Sequence, residues 1–231
     1  MSSIHPWGST GGRLVGRLAL VLGAAAMLAL AVPARAKPVN ISANDFYLYR
    51  SYQLALQDPR VIKMAPRRRL PAIARNFKVS LRALKRAIAA GEAAGPDLLE
   101  RCEERVRAIL DQSPLKGRVR DVSLDPTDGH VVAYVKWANT DGRKLDQEAS
   151  WAAMAAVKGA PIAWTVAVWA VDSRTGQNVF QAKISAASAS LFSAGAIPLF
   201  ATARYIRMFE DVKNAYLGNP PPASPPSKSP D

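Results

Sequence analysis

The sequence predicts an α+β protein: an all-helical basic N-terminal region followed by a small ββαββα sandwich. Two observations predict it. From Ser42 to about Ser113 the apolar residues recur at helical spacing, whereas from Val119 onward they alternate with polar ones as in strands. Between the later runs lie Asp128-Gly129, Asp141-Gly142 and Thr175-Gly176, pairs suited to tight turns. On this reading the chain divides into a leader (1–36), a helical basic region (37–114), an α+β domain (115–217) and a disordered Pro- and Ser-rich tail (218–231).

The leader reads as a signal peptide. Arg13 and Arg17 precede an uncharged stretch from Leu18 to Val32, and no acidic residue occurs before Asp45. That apolar stretch is shorter than the ~20 residues of a spanning helix. Pro33 then precedes Ala34-Arg35-Ala36, which has small residues at the two positions a signal peptidase reads. The expected product begins near Lys37, runs for about 195 residues and is exported, most simply to a bacterial periplasm. Lys37, and not a cysteine, stands immediately after the cleavage point, which disfavours a lipoprotein.

Each helix has its signals. Ser42-Ala43-Asn44-Asp45 has the form of a capping box with Asp in the Glu position, and Phe46, Tyr49, Tyr52 or Gln53, and Leu56 continue at helical spacing toward Pro59. A helix is expected from about Pro71 to Phe77, then a turn. The next runs from Leu81 to Ala90, with Ser80 as its N-cap and Gly91 as its stop. Pro96 opens another, to Asp111, whose apolar positions 98, 99, 102, 106, 109 and 110 form one stripe.

The second half begins with a hairpin, Val119 to Leu124 and Val131 to Trp137. A helix from Glu148 to Lys158 follows, and then two strands, Pro161 to Asp172 and Asn178 to Ile184. The third strand is apolar on both faces, so it is expected to be central, covered on both sides or paired with a second copy. Ile184 to Ala203 carries no charge; its many small residues predict packing against the sheet over membrane insertion or an oligomer interface. Leu199 to Tyr216 is amphipathic, with Ile206, Phe209 and Val212 opposite Arg204, Arg207 and Lys213, and completes the ββαββα order.

Charge is the main functional clue. Removing Arg13, Arg17 and Arg35 with the leader takes the 31 basic residues to 28 against 18 acidic ones. Between Arg50 and Ala90 there are eleven basic residues and Asp58 as the only acid, so the whole excess lies in one segment. Arg67, Arg68, Arg69, Arg75, Lys78, Arg82, Lys85 and Arg86 are the candidate contacts to an anionic partner: cell wall, lipid or an acidic protein. Trp137, Trp164 and Trp169 are candidates for a protein interface or for contact with a second copy.

The inventory for catalysis is sparse. His130 is the one histidine after the leader and follows a turn glycine, where solvation or capping explains it. Cys102 lies on an apolar helix stripe, as a buried thiol does. One Cys and one His do not make a zinc set, and no glycine-rich phosphate loop is present. Asp121, Asp125, Asp128 and Asp141 fit turn chemistry better than a cation loop. No cofactor is expected, and a non-enzymatic binding or scaffold role is favoured over an enzyme of unrecognised class.

Three local resemblances add to this. Leu70, Ile73-Ala74, Phe77, Val79-Ser80, Leu84 and Ala87-Ile88 resemble a helix-turn-helix, with Lys78 where that motif has its turn glycine. The resemblance implies a recognition helix from Leu81 to Ala90 that offers Arg82, Lys85 and Arg86 to nucleic acid. Export argues against that partner unless translation starts at Met64 or the leader is retained. Val79-Ser80 with Leu84 also resembles the middle of a LysM cell-wall module, and the element order of the second half resembles the BON-like modules of envelope proteins. These imply binding to cell wall, phospholipid or other envelope proteins, with no active site.

Overall fold

A computed structural model describes residues 39–126, 129–140, 142, 144–193 and 208–215. The chain divides into two compact units, residues 1–30 and 31–231, and every described residue belongs to the second. The expected leader and the Pro- and Ser-rich tail lie outside the described residues, as do Asp128, Asp141 and residues 194–207.

The first helix starts where its cap predicts. Ser42 is extended, its Oγ accepts the Asp45 N–H at 3.1 Å and its hydroxyl donates to Asp45 Oδ2 at 3.0 Å, opening α1 (Ala43–Ala55). Pro59 begins a one-turn helix, α2 (Pro59–Ile62), capped by Asp58, which accepts the Arg60 N–H at 2.8 Å. Helix α3 (Pro66–Asn76) starts at Pro66, with Pro71 inside it and not at its beginning. The bond that Pro71 cannot donate would have gone to the carbonyl of Arg67; both residues are exposed, so the missing bond falls at the surface of the helix.

Ser80 caps α4 (Leu81–Ala94) as expected, accepting the Ala83 N–H at 3.1 Å. Gly91 is not its stop. A Cβ at Gly91 would lie 2.2 Å from the Tyr49 ring, so the glycine serves the close packing of α1 on α4, and the helix ends before Gly95, where φ is 80°. A cluster centred on Ile73, Ala74 and Leu84, with Tyr52, Val61, Leu70, Phe77 and Ile88 around it, ties α1 to α4. The next helix, α5 (Leu98–Leu110), buries Leu98, Cys102, Val106, Ile109 and Leu110, most of the predicted stripe.

The α+β class stands. Strands β1 (Val119–Asp125) and β2 (Val131–Asn139) form the antiparallel hairpin; α6 (Leu145–Gly159) crosses to β3 (Ala163–Asp172), parallel to β2, and β4 (Asn178–Ser185) returns antiparallel. Within the uncharged stretch, Ala186–Ser193 forms α7, which packs on α6, β3 and β4 with Ala189 and Phe192 buried. The amphipathic segment departs from expectation: Glu210–Asn214 is a strand, β5, and not helix. It pairs antiparallel with β4 (Phe180 with Asn214, Gln181 with Lys213), giving partners to an edge whose N–H and C=O groups would otherwise be unpaired. The sheet order is therefore β1-β2-β3-β4-β5, and β3 is central.

Helices α5, α6 and α7 form a layer on one face, over Val135, Trp137, Val166, Val168, Ala170 and Phe180. Helix α6 approaches α5 closely: a Cβ on Gly159 would lie 2.6 Å from the backbone nitrogen of Val106. At its other end Glu148, 8% exposed, is held by three donors. Its Oε2 accepts Trp137 Nε1–H at 2.7 Å and Asn139 Nδ2–H at 3.0 Å, and its Oε1 pairs with the Arg118 guanidinium at 2.7 Å. Replacing Glu148 by Ala would take a buried acceptor from all three groups, while Arg118 keeps its bond to the Pro114 carbonyl at 3.0 Å. We expect Glu148→Ala to lower the unfolding free energy by about 3 kcal/mol in urea titration. A loss below about 1 kcal/mol would show the carboxylate to be dispensable.

Candidate functional site

The segment read as a helix-turn-helix does form two helices joined by a tight turn. Phe77 ends α3, Lys78 takes φ 55°, and the Lys78 and Val79 N–H groups bond back to the carbonyls of Arg75 (3.1 Å) and Ala74 (3.0 Å). This is a Schellman closure with Lys in the left-handed position that usually falls to glycine. Val79, the residue after it, packs into the Ile73–Ala74–Leu84 cluster and supplies the apolar contact that accompanies such a cap. A side chain in that conformation costs roughly 1 kcal/mol, so the fold keeps an exposed ammonium here against local preference.

Leu84, Ala87 and Gly91 form the buried stripe of α4, which leaves Arg82, Lys85 and Arg86 exposed. Arg67 and Arg68 are exposed in the first turn of α3, and Arg75 in its last. Two of the eight basic residues have structural work. Arg69 donates from Nε to the Met64 carbonyl (3.0 Å) and from its terminal nitrogen to the Ile62 carbonyl (2.8 Å), closing the end of α2. Arg86, itself largely exposed, pairs with the mostly covered Asp45 at 2.9 Å, a contact worth about 1 kcal/mol. Arg67, Arg68, Arg75, Lys78, Arg82 and Lys85 form no ion pair among the described residues. Neither α3 nor α4 has an acidic residue in its first turn, where the helix dipole would favour one. Both helix starts therefore add positive potential to that of the side chains.

Between α1, α3 and α4 lies a groove of about 540 Å³, lined by Tyr52, Leu56, Arg69, Leu70, Lys85, Ile88 and Glu92 among others. It is open and half apolar, with basic groups from two helices. A second cleft of about 500 Å³, between α1 and the start of α5, includes Phe46, Tyr49, Arg50 and Leu98. At the far end of the sheet Arg120, Asp121, Lys136 and Asp172 share a shallow cleft. There Asp172 accepts the Arg174 and Thr175 N–H groups as a turn residue, and Asp121 pairs with Arg107 at 3.4 Å.

The three tryptophans do not come together. Trp137 is fully buried under α6 and has no surface to offer a partner, because the strand alternation turns it inward. Trp164 is 38% exposed, donates to the Ala43 carbonyl at 3.3 Å and meets His130 edge-on at 4.8 Å; His130 stacks on Tyr47 at 4.6 Å. This aromatic group joins α1 to the starts of β2 and β3, a long-range contact that residue spacing does not announce. Trp169 stacks on Tyr134 at 5.1 Å, on the sheet face away from α6.

Cys102 is wholly buried, and burial pushes its thiol up to about 11. Among the described residues no group of three His, Cys, Asp or Glu side chains is placed to hold a metal ion. The strained turn gives a direct test. Lys78→Gly should raise stability by about 1 kcal/mol and the melting temperature by about 2–4 °C, while Lys78→Ala, which keeps the Cβ, should not. Equal effects of the two substitutions would mean that the charge, and not the backbone, sets the cost.

No protein-family model, curated protein or solved structure matches this chain.

Proposed function

We propose that the protein is an exported, non-enzymatic binding or scaffold protein of the cell envelope whose α3–α4 surface holds an anionic partner. One observation carries this reading: five exposed cations on two consecutive helices, and Lys78 in the turn between them, make no ion pair among the described residues. Two helix N-termini without acidic residues reinforce the same potential. The rest of the chain after the leader is close to neutral, so the attraction is local and oriented. Its residues bind and position; none is assigned a bond-making step.

A second reading, nucleic-acid binding, draws on the tight turn between α3 and α4, which places Arg82, Lys85 and Arg86 on the outer side of the second helix. The N-terminal sequence of the native protein separates the two readings. A start at Lys37 in the periplasmic fraction supports the envelope role, and a start at Met1 or Met64 in the cytosol supports the other.

Arg82→Glu with Lys85→Glu is the variant of choice, because Arg86 also pairs with Asp45. Cosedimentation of the parent with purified cell wall or anionic vesicles should weaken as salt rises through the range where the Debye length falls below about 10 Å. The double variant should lose most of that binding at low salt. Parent-like binding by the variant would sink the proposal.

A further inference from the structure

We infer that the anionic partner is a lipid bilayer, and that Ile62 and Met64 enter it beside the cationic surface. The inference rests on the proposed anion-binding role and names its partner. Ile62 is 52% exposed, Met64 37% and Leu56 37%; one exposed apolar side chain is ordinary, and what marks these is their grouping beside cations. All three lie beside Arg69: its guanidinium holds the carbonyls of Ile62 and Met64, and Leu56 lines the same groove as Arg69 and Lys85. Arg60, Lys63, Arg67 and Arg68 surround this tip in the chain and are all exposed.

Exposed cations alone fit any polyanion. The apolar side chains discriminate, because a cell-wall polymer or a nucleic-acid backbone gives them nothing apolar to enter, whereas the boundary between headgroups and acyl chains does. The backbone of the tip is prepared for that boundary. In a medium with little water the two carbonyls at the end of α2 would lose their solvent partners, and Arg69 already satisfies both. Membrane attachment by a surface helix requires apolar burial together with attraction to anionic headgroups, and both lie side by side here. Among the described residues no helix is long and apolar enough to cross a membrane, so contact of this region with lipid is at the surface.

The test uses the chain from Lys37, so that the apolar leader cannot contribute. Its ligands are phosphatidylcholine vesicles with and without phosphatidylglycerol, and soluble polyphosphate as an anion without an apolar phase. Ile62→Cys, labelled with an environment-sensitive fluorophore, reports insertion; native Cys102 does not compete, being buried with its thiol pushed up to about 11. We expect a blue shift and quenching by brominated acyl chains with phosphatidylglycerol vesicles only, and no shift with polyphosphate. Ile62→Ser with Met64→Ser should weaken binding to those vesicles by roughly tenfold or more while leaving polyphosphate binding unchanged. The charge variant Arg82→Glu with Lys85→Glu should weaken both. Vesicle binding without a blue shift, or an unchanged affinity in the Ser variant, would overturn the lipid inference and leave a soluble acidic polymer or protein as the partner. Failure to bind either polyphosphate or vesicles would instead remove the anion-binding role itself.

Discussion

Glu148 is the constraint on which the rest of the structure hangs. Taking a carboxylate out of water costs several kcal/mol unless donors replace the lost hydration. Here two of the donors, Trp137 and Asn139, come from β2, and the third, Arg118, from the residue before β1. Arg118 also holds the Pro114 carbonyl at 3.0 Å, so one buried charge gathers the chain leaving α5, the central part of the sheet and the start of α6. From there the order propagates. Helix α6 is fixed at its beginning by this carboxylate and at its end by the glycine contact with Val106, which sets α5. Side-chain bonds then hold α5 to β1: Glu103 accepts the Leu124 N–H at 2.8 Å, and Arg107 donates to the Val122 carbonyl at 2.8 Å and pairs with Asp121 at 3.4 Å. Arg101 bonds the Ala94 carbonyl at the end of α4. The cationic surface is thus positioned by a chain of contacts that begins at a residue more than fifty positions away along the sequence.

What was legible in the sequence was local. Ser42 and Ser80 cap their helices through bonds that span three residues, and the β1–β2 hairpin follows from alternation plus a turn. Long-range facts were not legible. Gly91 looks like a stop until the ring of Tyr49 is found against it, and Pro71 looks like a helix start until its missing bond is seen to fall on an exposed carbonyl. β5 was hidden because a short edge strand is defined by the partner it completes, and its own pattern is amphipathic at either period. The site divides the same way. The eight basic residues are visible as composition, but which of them have partners within the fold is not: Arg86 finds Asp45 on α1, and Arg69 turns back onto α2. Trp137 shows the converse, a residue offered as surface whose strand position buries it.

The arrangement of charge argues for a partner on energetic grounds. Arg67, Arg68 and Arg82 stand in the first turns of α3 and α4, where each cation is disfavoured by about 0.3–1 kcal/mol through the helix dipole. Lys78 adds a left-handed backbone at a cost of similar size. Neighbouring cations one turn apart lie well within a Debye length of each other, so their mutual repulsion is not screened away. None of this assists folding, and the Ile73–Ala74–Leu84 cluster and the serine caps must outweigh it. Anionic groups placed over each helix start would reverse the sign of the dipole and repulsion terms there. The exposed side chains of Ile62 and Met64 follow the same logic: unfavourable in water, they become favourable against an apolar phase. A surface that is costly in two different ways when free would be relieved in both by the proposed membrane boundary, and in only one by a polyanion without apolar surface.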